Sequence, residues 1–247
     1  MDAQLKKAYM NILNDYSECF FDKNREDCIG YTGLSGLFLS TTPETWEPDK
    51  RILVVGRETR GWNVLKETSY TTLDHYVDTT MKIQKDYLHT QIRKSNERNS
   101  TFFNFLRSVG SCVGVGNVGW ANLFCFDWNR STPTEKKTPL YNEILEISER
   151  LLKAQIEILS PDIIIFANGV SAAGVRRKMF PTSGANSVCS DWSNYMDDNI
   201  KKIELEKFFL YNGIQCYRIN HPANYRKEAR VGRKYLINLL RNEFIHS

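Results

Sequence analysis

Four short apolar segments, separated by helical patterns, constrain the fold of this 247-residue chain more than any other feature. The clearest is DIIIFAN at 162–168, which lacks polar–apolar alternation. Such a run predicts a strand buried on both faces, as in a parallel sheet. Three more strands are predicted at about 51–56, 118–126 and 214–220. Strands that alternate with helices favour an α/β fold, specifically a three-layer α/β/α sandwich around a four-stranded parallel sheet.

The helices are predicted from apolar residues that recur at steps of three and four. The pattern is clear at 3–20 and at 140–159, and the second helix should end before the proline that follows it. We expect a single domain over the whole chain, 1–247, with an N-terminal helical extension at 1–48 and a helical insertion at about 64–117. Residues 181–199 are predicted to form a loop.

The composition is that of an ordinary soluble globular protein, with 41% hydrophobic and 25% charged residues. A formal net charge of +4 permits a nucleic-acid partner without requiring one. The N-terminus lacks the apolar segment of a secretory signal, and no apolar run approaches the roughly 18 residues that span a bilayer. We therefore predict a cytoplasmic protein that does not bind membranes.

The six cysteines form no CxxC pair and have no nearby histidine in the sequence. We expect reduced, structural thiols and no zinc or iron–sulfur site. No metal and no organic cofactor is implied.

Polar side chains follow each predicted strand where it ends. They are Gly56-Arg57-Glu58 after the first strand, Asp127-Trp128 after the second, Asn168 at the end of the third and His221-Pro222 after the fourth; the second strand also carries Asn122 among its apolar residues. In an open parallel sheet, ligands bind outside the carboxyl ends of the strands, so a carboxylate, two amides and an imidazole should meet at one edge. That set can perform acid–base chemistry and read the edge of a heterocycle.

Each of these residues also has a structural interpretation. Glu58 could instead pair with Arg57 or Arg60. Asn122 could be a structural amide that bonds a loop, and Asn168 could simply form a turn.

The same holds for the remaining candidates. His221 could bond a carbonyl within its own loop, and Trp62 could belong to the core. The basic residues of the last helix could be a solvated face; they are Arg226, Lys227, Arg230, Arg233 and Lys234.

Taken together, the motifs resemble those of the uracil-DNA glycosylase superfamily. Gly56-Arg57-Glu58 matches its first motif, a strand followed by glycine, any residue and an acid. Asn122 matches the asparagine that pairs with the flipped base, and His221-Pro222 matches the start of a loop that inserts into the duplex. The resemblance covers roughly residues 50–240 and implies a DNA glycosylase with a parallel sheet between helices.

The chain departs from that family's pattern in three places. The proline that usually follows the acid is replaced by Thr59-Arg60-Gly61-Trp62, and the usual Ser-Pro after His-Pro by Ala223-Asn224. The cysteines that hold an iron–sulfur cluster in some members are absent. Because Arg57 and residues 59–62 would line the base pocket, a modified base, such as a modified pyrimidine of invading phage DNA, is a candidate substrate beside uracil.

For this reaction we assign Glu58 to activate water and offset positive charge on the sugar, and His221 to donate a hydrogen bond to the departing base. Asn122 reads the base edge. Further contacts to base or DNA are assigned to Arg57, Trp62, Asn168, Pro222, Asn224, Tyr225, Arg226 and Arg230. The expected partner is duplex or single-stranded DNA, bound by a monomer in base-excision repair or antiviral defence.

Two alternatives remain open. A nucleoside or nucleotide hydrolase acting on small molecules would use the same sheet edge and be indifferent to the basic patch. A catalytically inactive nucleic-acid-binding protein would be unaffected by Glu58→Gln.

Overall fold

The computed structural model describes residues 1–23, 25–65, 69–211 and 213–245. Its strands are β1 (Ile52–Gly56), β2 (Val118–Asn122), β3 (Ile163–Phe166), β4 (Cys189–Asn194), β5 (Leu205–Leu210) and β6 (Ile214–Ile219). Its α-helices are α1 (Asp2–Leu13), α2 (Leu73–Ile92), α3 (Thr101–Val113), α4 (Tyr141–Leu159), α5 (Ala173–Met179) and α6 (Lys227–Ile245). The predicted α/β class is confirmed.

The strands form one sheet in the order β2-β1-β3-β6-β5-β4. β3 is parallel to both of its neighbours, β1 and β6, whereas β5 is antiparallel to β6 and to β4. All four residues of β3 are buried, which explains its unbroken apolar sequence. The predicted count of four strands is wrong, because the sheet has six.

The two strands that the sequence analysis missed carry charged or polar residues. β4 is mostly exposed beyond Cys189, so the loop expected at 181–199 is wrong over this strand. β5 contains Glu206 and Lys207, which interrupt its apolar pattern. Glu206 is nevertheless buried, because it pairs with the equally buried Arg218 at 3.4 Å.

The helical predictions hold with shifted ends. α4 ends at Leu159, and Ser160 takes a left-handed conformation before Pro161. The helix expected at 3–20 is shorter, since α1 stops at Leu13 and only a short 3₁₀ turn follows at Glu18–Phe20. The expected insertion contains α2 and α3; its residues 66–68 lie outside the described residues.

The chain divides into two compact, discontinuous units. Unit 1 consists of Met1–Thr42, Arg57–Tyr87 and Ala121–Ser160, and unit 2 of Pro43–Gly56, Leu88–Trp120 and Pro161–Ser247. The single-domain expectation stays a prediction.

Unit 1 is built around the packing of α1 on α4. Leu5, Tyr9 and Leu13 recur on one side of α1 and are completely buried. The Tyr9 hydroxyl donates to the carbonyl of Ser40 at 2.7 Å, and the Ser40 hydroxyl donates to Gln155 of α4 at 3.1 Å. These bonds satisfy polar groups that burial would otherwise leave unpaired.

Unit 2 contains most of the sheet. α3 packs against α6 and β1, and α6 also packs against β5 and β6. Since β1, β3 and β6 are neighbouring parallel strands, their carboxyl ends lie side by side. This edge carries the polar residues that the sequence singled out in unit 2.

Cys19 and Cys28 form a disulfide, so the expectation of reduced thiols is wrong for this pair. Two short 3₁₀ segments, at Glu18–Phe20 and Glu26–Tyr31, bring their Cα atoms to 5.2 Å, a proximity that no spacing rule predicts. The other four cysteines are free and buried: Cys112, Cys125, Cys189 and Cys216.

Within the described residues, no helix combines the length and apolar character needed to cross a membrane.

Candidate functional site

The predicted site residues fall into two groups, one in each unit. Unit 1 holds Arg57, Glu58, Trp62 and Asn122. Unit 2 holds Asn168, His221, Pro222, Asn224, Tyr225, Arg226 and Arg230. The expectation that Glu58 and His221 act at one edge stays a prediction.

In unit 1, the carboxylate of Glu58 is held in an ion pair. Its side chain is only 2% exposed, and its Oε2 accepts hydrogen bonds from Nε of Arg57 at 2.7 Å and from the Thr132 hydroxyl at 3.0 Å. Its Oε1 accepts from Nε of Arg60 at 3.2 Å. Burial raises the pKa of Glu58, but the bonds from Arg57, Thr132 and Arg60 outweigh it and hold that pKa below its usual value. Glu58 is therefore ionised at neutral pH.

This arrangement matches the structural interpretation of Glu58 that the sequence left open. A water molecule could reach the carboxylate only by displacing one of its donors. The most exchangeable donor is Arg60, whose side chain is 60% exposed. The catalytic assignment of Glu58 stays a prediction.

Asn122 ends β2 and is buried, and its Nδ2 donates to the hydroxyl of Thr59. A second bond, from the Phe124 N–H to the Arg57 carbonyl at 2.8 Å, ties the same loop to the strand end. Asn122 thus serves at least as the structural amide that the sequence allowed, and its role in base reading stays a prediction.

Asp127 fixes the segment 59–62 that follows Glu58. It is buried, and its carboxylate accepts from the backbone N–H groups of Gly61 and Arg130. Burial raises the pKa of Asp127 despite these bonds, and the negative charge of Glu58 adds to the rise.

Trp62 belongs to the packing of unit 1. It is buried and makes edge-to-face contacts with Phe38, at 5.4 Å between ring centroids, and with Tyr87, at 5.6 Å. This is the core position that the sequence analysis weighed as the alternative to base stacking.

In unit 2, Asn168 is a buried amide without a hydrogen-bond partner. It lies two residues beyond β3 and is fully buried, yet neither Oδ1 nor Nδ2 bonds any residue that the structure describes. An unsatisfied buried group costs about 1–3 kcal/mol. Native proteins hold few such groups, so each calls for an explanation, such as a water molecule, an ion or a ligand that completes the bonds.

The backbone of His221 lies close to Gly169, the residue that follows Asn168. Gly169 has a φ of +79°, and a Cβ placed on it would lie 3.3 Å from the His221 nitrogen. The turn interpretation of Asn168-Gly169 is therefore correct for the glycine, but it leaves the unsatisfied Asn168 amide unexplained.

The hydrogen bonds of the loop fix which nitrogen of His221 carries the proton. Nδ1 accepts from the backbone N–H of Ala223 at 3.1 Å. The neutral ring must therefore carry its proton on Nε2, which makes Nε2 a hydrogen-bond donor. The ring also stacks on Phe102 at the start of α3, with centroids 6.4 Å apart and an interplanar angle of 24°.

Arg233 holds this loop from the second turn of α6. Its Nη2 donates to the Asn224 carbonyl at 2.9 Å and its Nη1 to the His221 carbonyl at 3.4 Å. Burial lowers the pKa of Arg233, as does neighbouring Arg230, against the opposing charge of Glu204. The Asn224 side chain in turn accepts the Arg226 N–H at 3.1 Å, just before α6 begins.

The remaining predicted contacts lie around the loop. Pro222 is buried, and Tyr225 is 65% exposed. Arg226 and Arg230 are exposed, with Arg226 3.7 Å from a carboxylate oxygen of Glu204.

Sequence reasoning missed three contributors. Thr132 and Phe102 carry no local signal, since one lies in a loop and the other looks like any apolar helix residue. Arg233 was grouped with a solvated face, and only its side-chain bonds reveal its role in the loop.

One group of described residues has donor atoms close enough for a metal ion: Cys19, Asp27 and Cys28. Because the two sulfurs form the disulfide, neither is a thiolate that could ligate a metal.

The fold and the residues described here define an α/β protein with polar groups at the carboxyl ends of parallel strands. Comparisons with models of known protein families and with curated proteins find no match for this chain. The resemblance to uracil-DNA glycosylases therefore rests on the short motifs alone.

Proposed function

We propose that this protein is a DNA glycosylase that hydrolyses the N-glycosidic bond of an extruded uracil or modified pyrimidine. The observation that carries the proposal is the buried Asn168 amide, which bonds none of the described residues and directly precedes Gly169, the residue that the His221 backbone approaches. The Nε2 of His221 is a hydrogen-bond donor. An amide with both its donor and its acceptor open suits the edge of a pyrimidine, which offers both. Asn168 supports this role better than Asn122, whose amide already bonds Thr59.

Hydrolysis of the bond requires stabilisation of both the departing base and the positively charged sugar. As water bonds to C1′ of the sugar, the C1′–N bond breaks and its electron pair leaves with the base. The Nε2–H of His221 stabilises that anion, and a donor of this kind contributes about 3 kcal/mol. Ionised Glu58 is assigned to offset the positive sugar and to take the proton of water, which ends on the released base.

The assignment requires Glu58 and His221 to act on one substrate, and a double substitution tests this. If they serve one chemical step, Glu58→Gln and His221→Ala together should reduce the rate much less than the product of their separate effects. If the two effects on the rate simply multiply, Glu58 and His221 do not serve the same chemical step.

The direct test uses DNA strands and duplexes that contain uracil, cytosine or modified cytosines, followed by alkali to cleave abasic sites. We expect strand scission with the wild type, strongly reduced by Asn168→Ala, His221→Ala or Glu58→Gln. Asn238→Ala and His75→Ala, which alter an exposed amide and an exposed imidazole, are the matched controls. Base loss from free nucleosides but from no DNA would favour the small-molecule hydrolase.

A second candidate is a nucleic-acid-binding protein without catalysis. The ion pair that occupies both oxygens of Glu58 favours it. It predicts that no DNA substrate loses a base and that Glu58→Gln binds DNA like the wild type.

A further inference from the structure

A groove lies between α3 and α6 in unit 2, adjoining Pro222 of the His221 loop. Its volume is about 430 Å³, which falls within the range of about 300–1,000 Å³ typical of small-molecule sites. Asn96, Thr101 and Ser108 line it from α3 and the segment before it, and Arg230 and Lys234 line it from α6.

The α6 side of the groove carries closely spaced positive charges. Arg226, Arg230 and Lys234 follow one another at four-residue steps, so like charges lie close together on one face. Arg226 and Arg230 also lie at the N-terminus and in the first turn of α6, where the helix dipole disfavours cations. Among the described residues, Arg226 has an ion-pair partner in Glu204, whereas Arg230 and Lys234 have none. Phosphate is the anion that such a cluster suits.

The rest of the lining is apolar, which points to more than a free phosphate. It includes Phe105, Ile237 and Tyr225, whose ring is 65% exposed. An exposed aromatic ring next to cations is the arrangement that binds single-stranded nucleic acid, where bases stack and phosphates pair. A paired base keeps its faces inside the duplex stack, so only an unpaired nucleotide can use this surface.

We propose that the α3–α6 groove binds one nucleotide of an unpaired DNA strand next to the His221 loop. Arg230 and Lys234 bind its phosphate, and Tyr225 contacts its base or sugar. The inference rests on the proposed function only for the choice of DNA. It deepens that function, because it adds a binding site for an unpaired nucleotide next to the His221 loop.

A steric substitution tests the groove without changing charge. Ser108 lines it, and among the described residues the Ser108 hydroxyl bonds only the Asn104 carbonyl, so Ser108→Phe fills the space at little cost to the helix. Ser111→Phe is the matched control, since Ser111 lies on the same helix, is exposed and does not line the groove. The probe is a labelled single-stranded oligonucleotide of ordinary bases, followed by fluorescence anisotropy, with circular dichroism as the check on folding.

We expect Ser108→Phe to weaken binding about tenfold, which corresponds to about 1.4 kcal/mol and to the loss of one stacked base. Ser111→Phe should bind like the wild type, and so should Ser108→Phe when the probe is a blunt duplex. Wild-type affinity of folded Ser108→Phe for the single strand overturns the proposal. An equal loss for the duplex overturns the requirement for an unpaired nucleotide.

Charge substitutions and competitors test the phosphate contacts. Arg230→Gln and Lys234→Gln should each lower the slope of log affinity against log salt by about one. Arg241→Gln, which removes a charge from the same helix outside the groove, should leave it unchanged. If inorganic phosphate or a free deoxynucleotide binds as tightly as the oligonucleotide, the site is not one for a strand.

These measurements use DNA without a target base, so they are independent of catalysis. If no substrate ever releases a base but the Ser108→Phe effect persists, the glycosylase proposal fails and the groove inference stands. If bases are released while Ser108→Phe binds normally, the glycosylase proposal stands and the groove inference fails.

Discussion

At the scale of single residues, the Asn168 side chain should lower the stability of the protein while serving its proposed activity. Its two unsatisfied polar atoms lie inside unit 2 and lower the free energy of unfolding. Asn168→Leu, which has similar volume and no polar atom, should therefore raise stability by about 1–3 kcal/mol while abolishing base release. Urea unfolding monitored by circular dichroism measures the first effect, and the alkali assay measures the second.

Asn220→Leu is the contrasting variant, because the Asn220 amide is already bonded to Glu204. It should lose stability, since it leaves a buried carboxylate without that donor. A loss of stability in Asn168→Leu as well would show that the Asn168 amide has a structural partner in solution.

Glu58 should make stability depend on acid pH. Its folded-state pKa is depressed below the ordinary 4.5. A depressed carboxyl pKa contributes stability that is fully present above about pH 4.5 and is lost as pH falls through the folded value. Between pH 6 and pH 3, the melting temperature of Glu58→Gln should thus fall less than that of the wild type.

Thr132→Val refines this test, because it removes one donor to Glu58 and keeps the charges. In this variant the folded-state pKa of Glu58 should be depressed less, so the acid-induced loss of stability should be smaller than that of the wild type and complete at a higher pH. Glu143→Gln, on the exposed side of α4, controls for the loss of one negative charge. Parallel pH curves for Glu58→Gln and the wild type would contradict the assignment.

At the scale of elements, the turn after β3 positions the His221 loop. Gly169→Ala must place a Cβ 3.3 Å from the His221 nitrogen and keep a φ of +79°. The left-handed conformation alone costs a non-glycine residue about 1–2 kcal/mol, and the contact adds to it. We expect lower stability and, because the loop moves, a lower rate of base release.

Gly184→Ala separates the cost of the left-handed backbone from the cost of the contact with His221. Gly184 has a φ of +84°, but a Cβ placed on it would meet no described atom within 4 Å, so its variant incurs only the backbone strain. It should lose less stability than Gly169→Ala and retain full activity. Equal losses in both variants would mean that the approach to His221 is not tight.

The elements also show what the sequence could and could not predict. β1 and β3 were predictable because buried parallel strands read as apolar runs. β4 was not, because an exposed edge strand needs no apolar alternation. In the candidate site, the topology predicted which residues lie at the strand ends. It could not predict the partners of Glu58, nor that the Asn168 amide bonds none of the described residues. Those depend on side chains brought together from distant segments, as Thr132 is with Glu58.

At the scale of the whole molecule, the chain passes between the two units five times, at residues 42, 56, 87, 120 and 160. Two of these passages fall inside α2 and β2, which are continuous elements. We therefore expect that a fragment of residues 161–247 does not fold alone, since it lacks β1, which pairs with β3, and α3, which packs on α6. Circular dichroism and amide exchange of the fragment test this, and a cooperative melting transition would contradict it.

The unsatisfied amide of Asn168 also offers a way to find the ligand before any reaction is known. A compound that completes its hydrogen bonds removes an energetic penalty from the native state, and ligand binding to the native state alone raises the melting temperature. A thermal-shift screen of free pyrimidines and their modified forms, run with Asn168→Leu as the insensitive reference, would rank candidate bases by the stabilisation they confer.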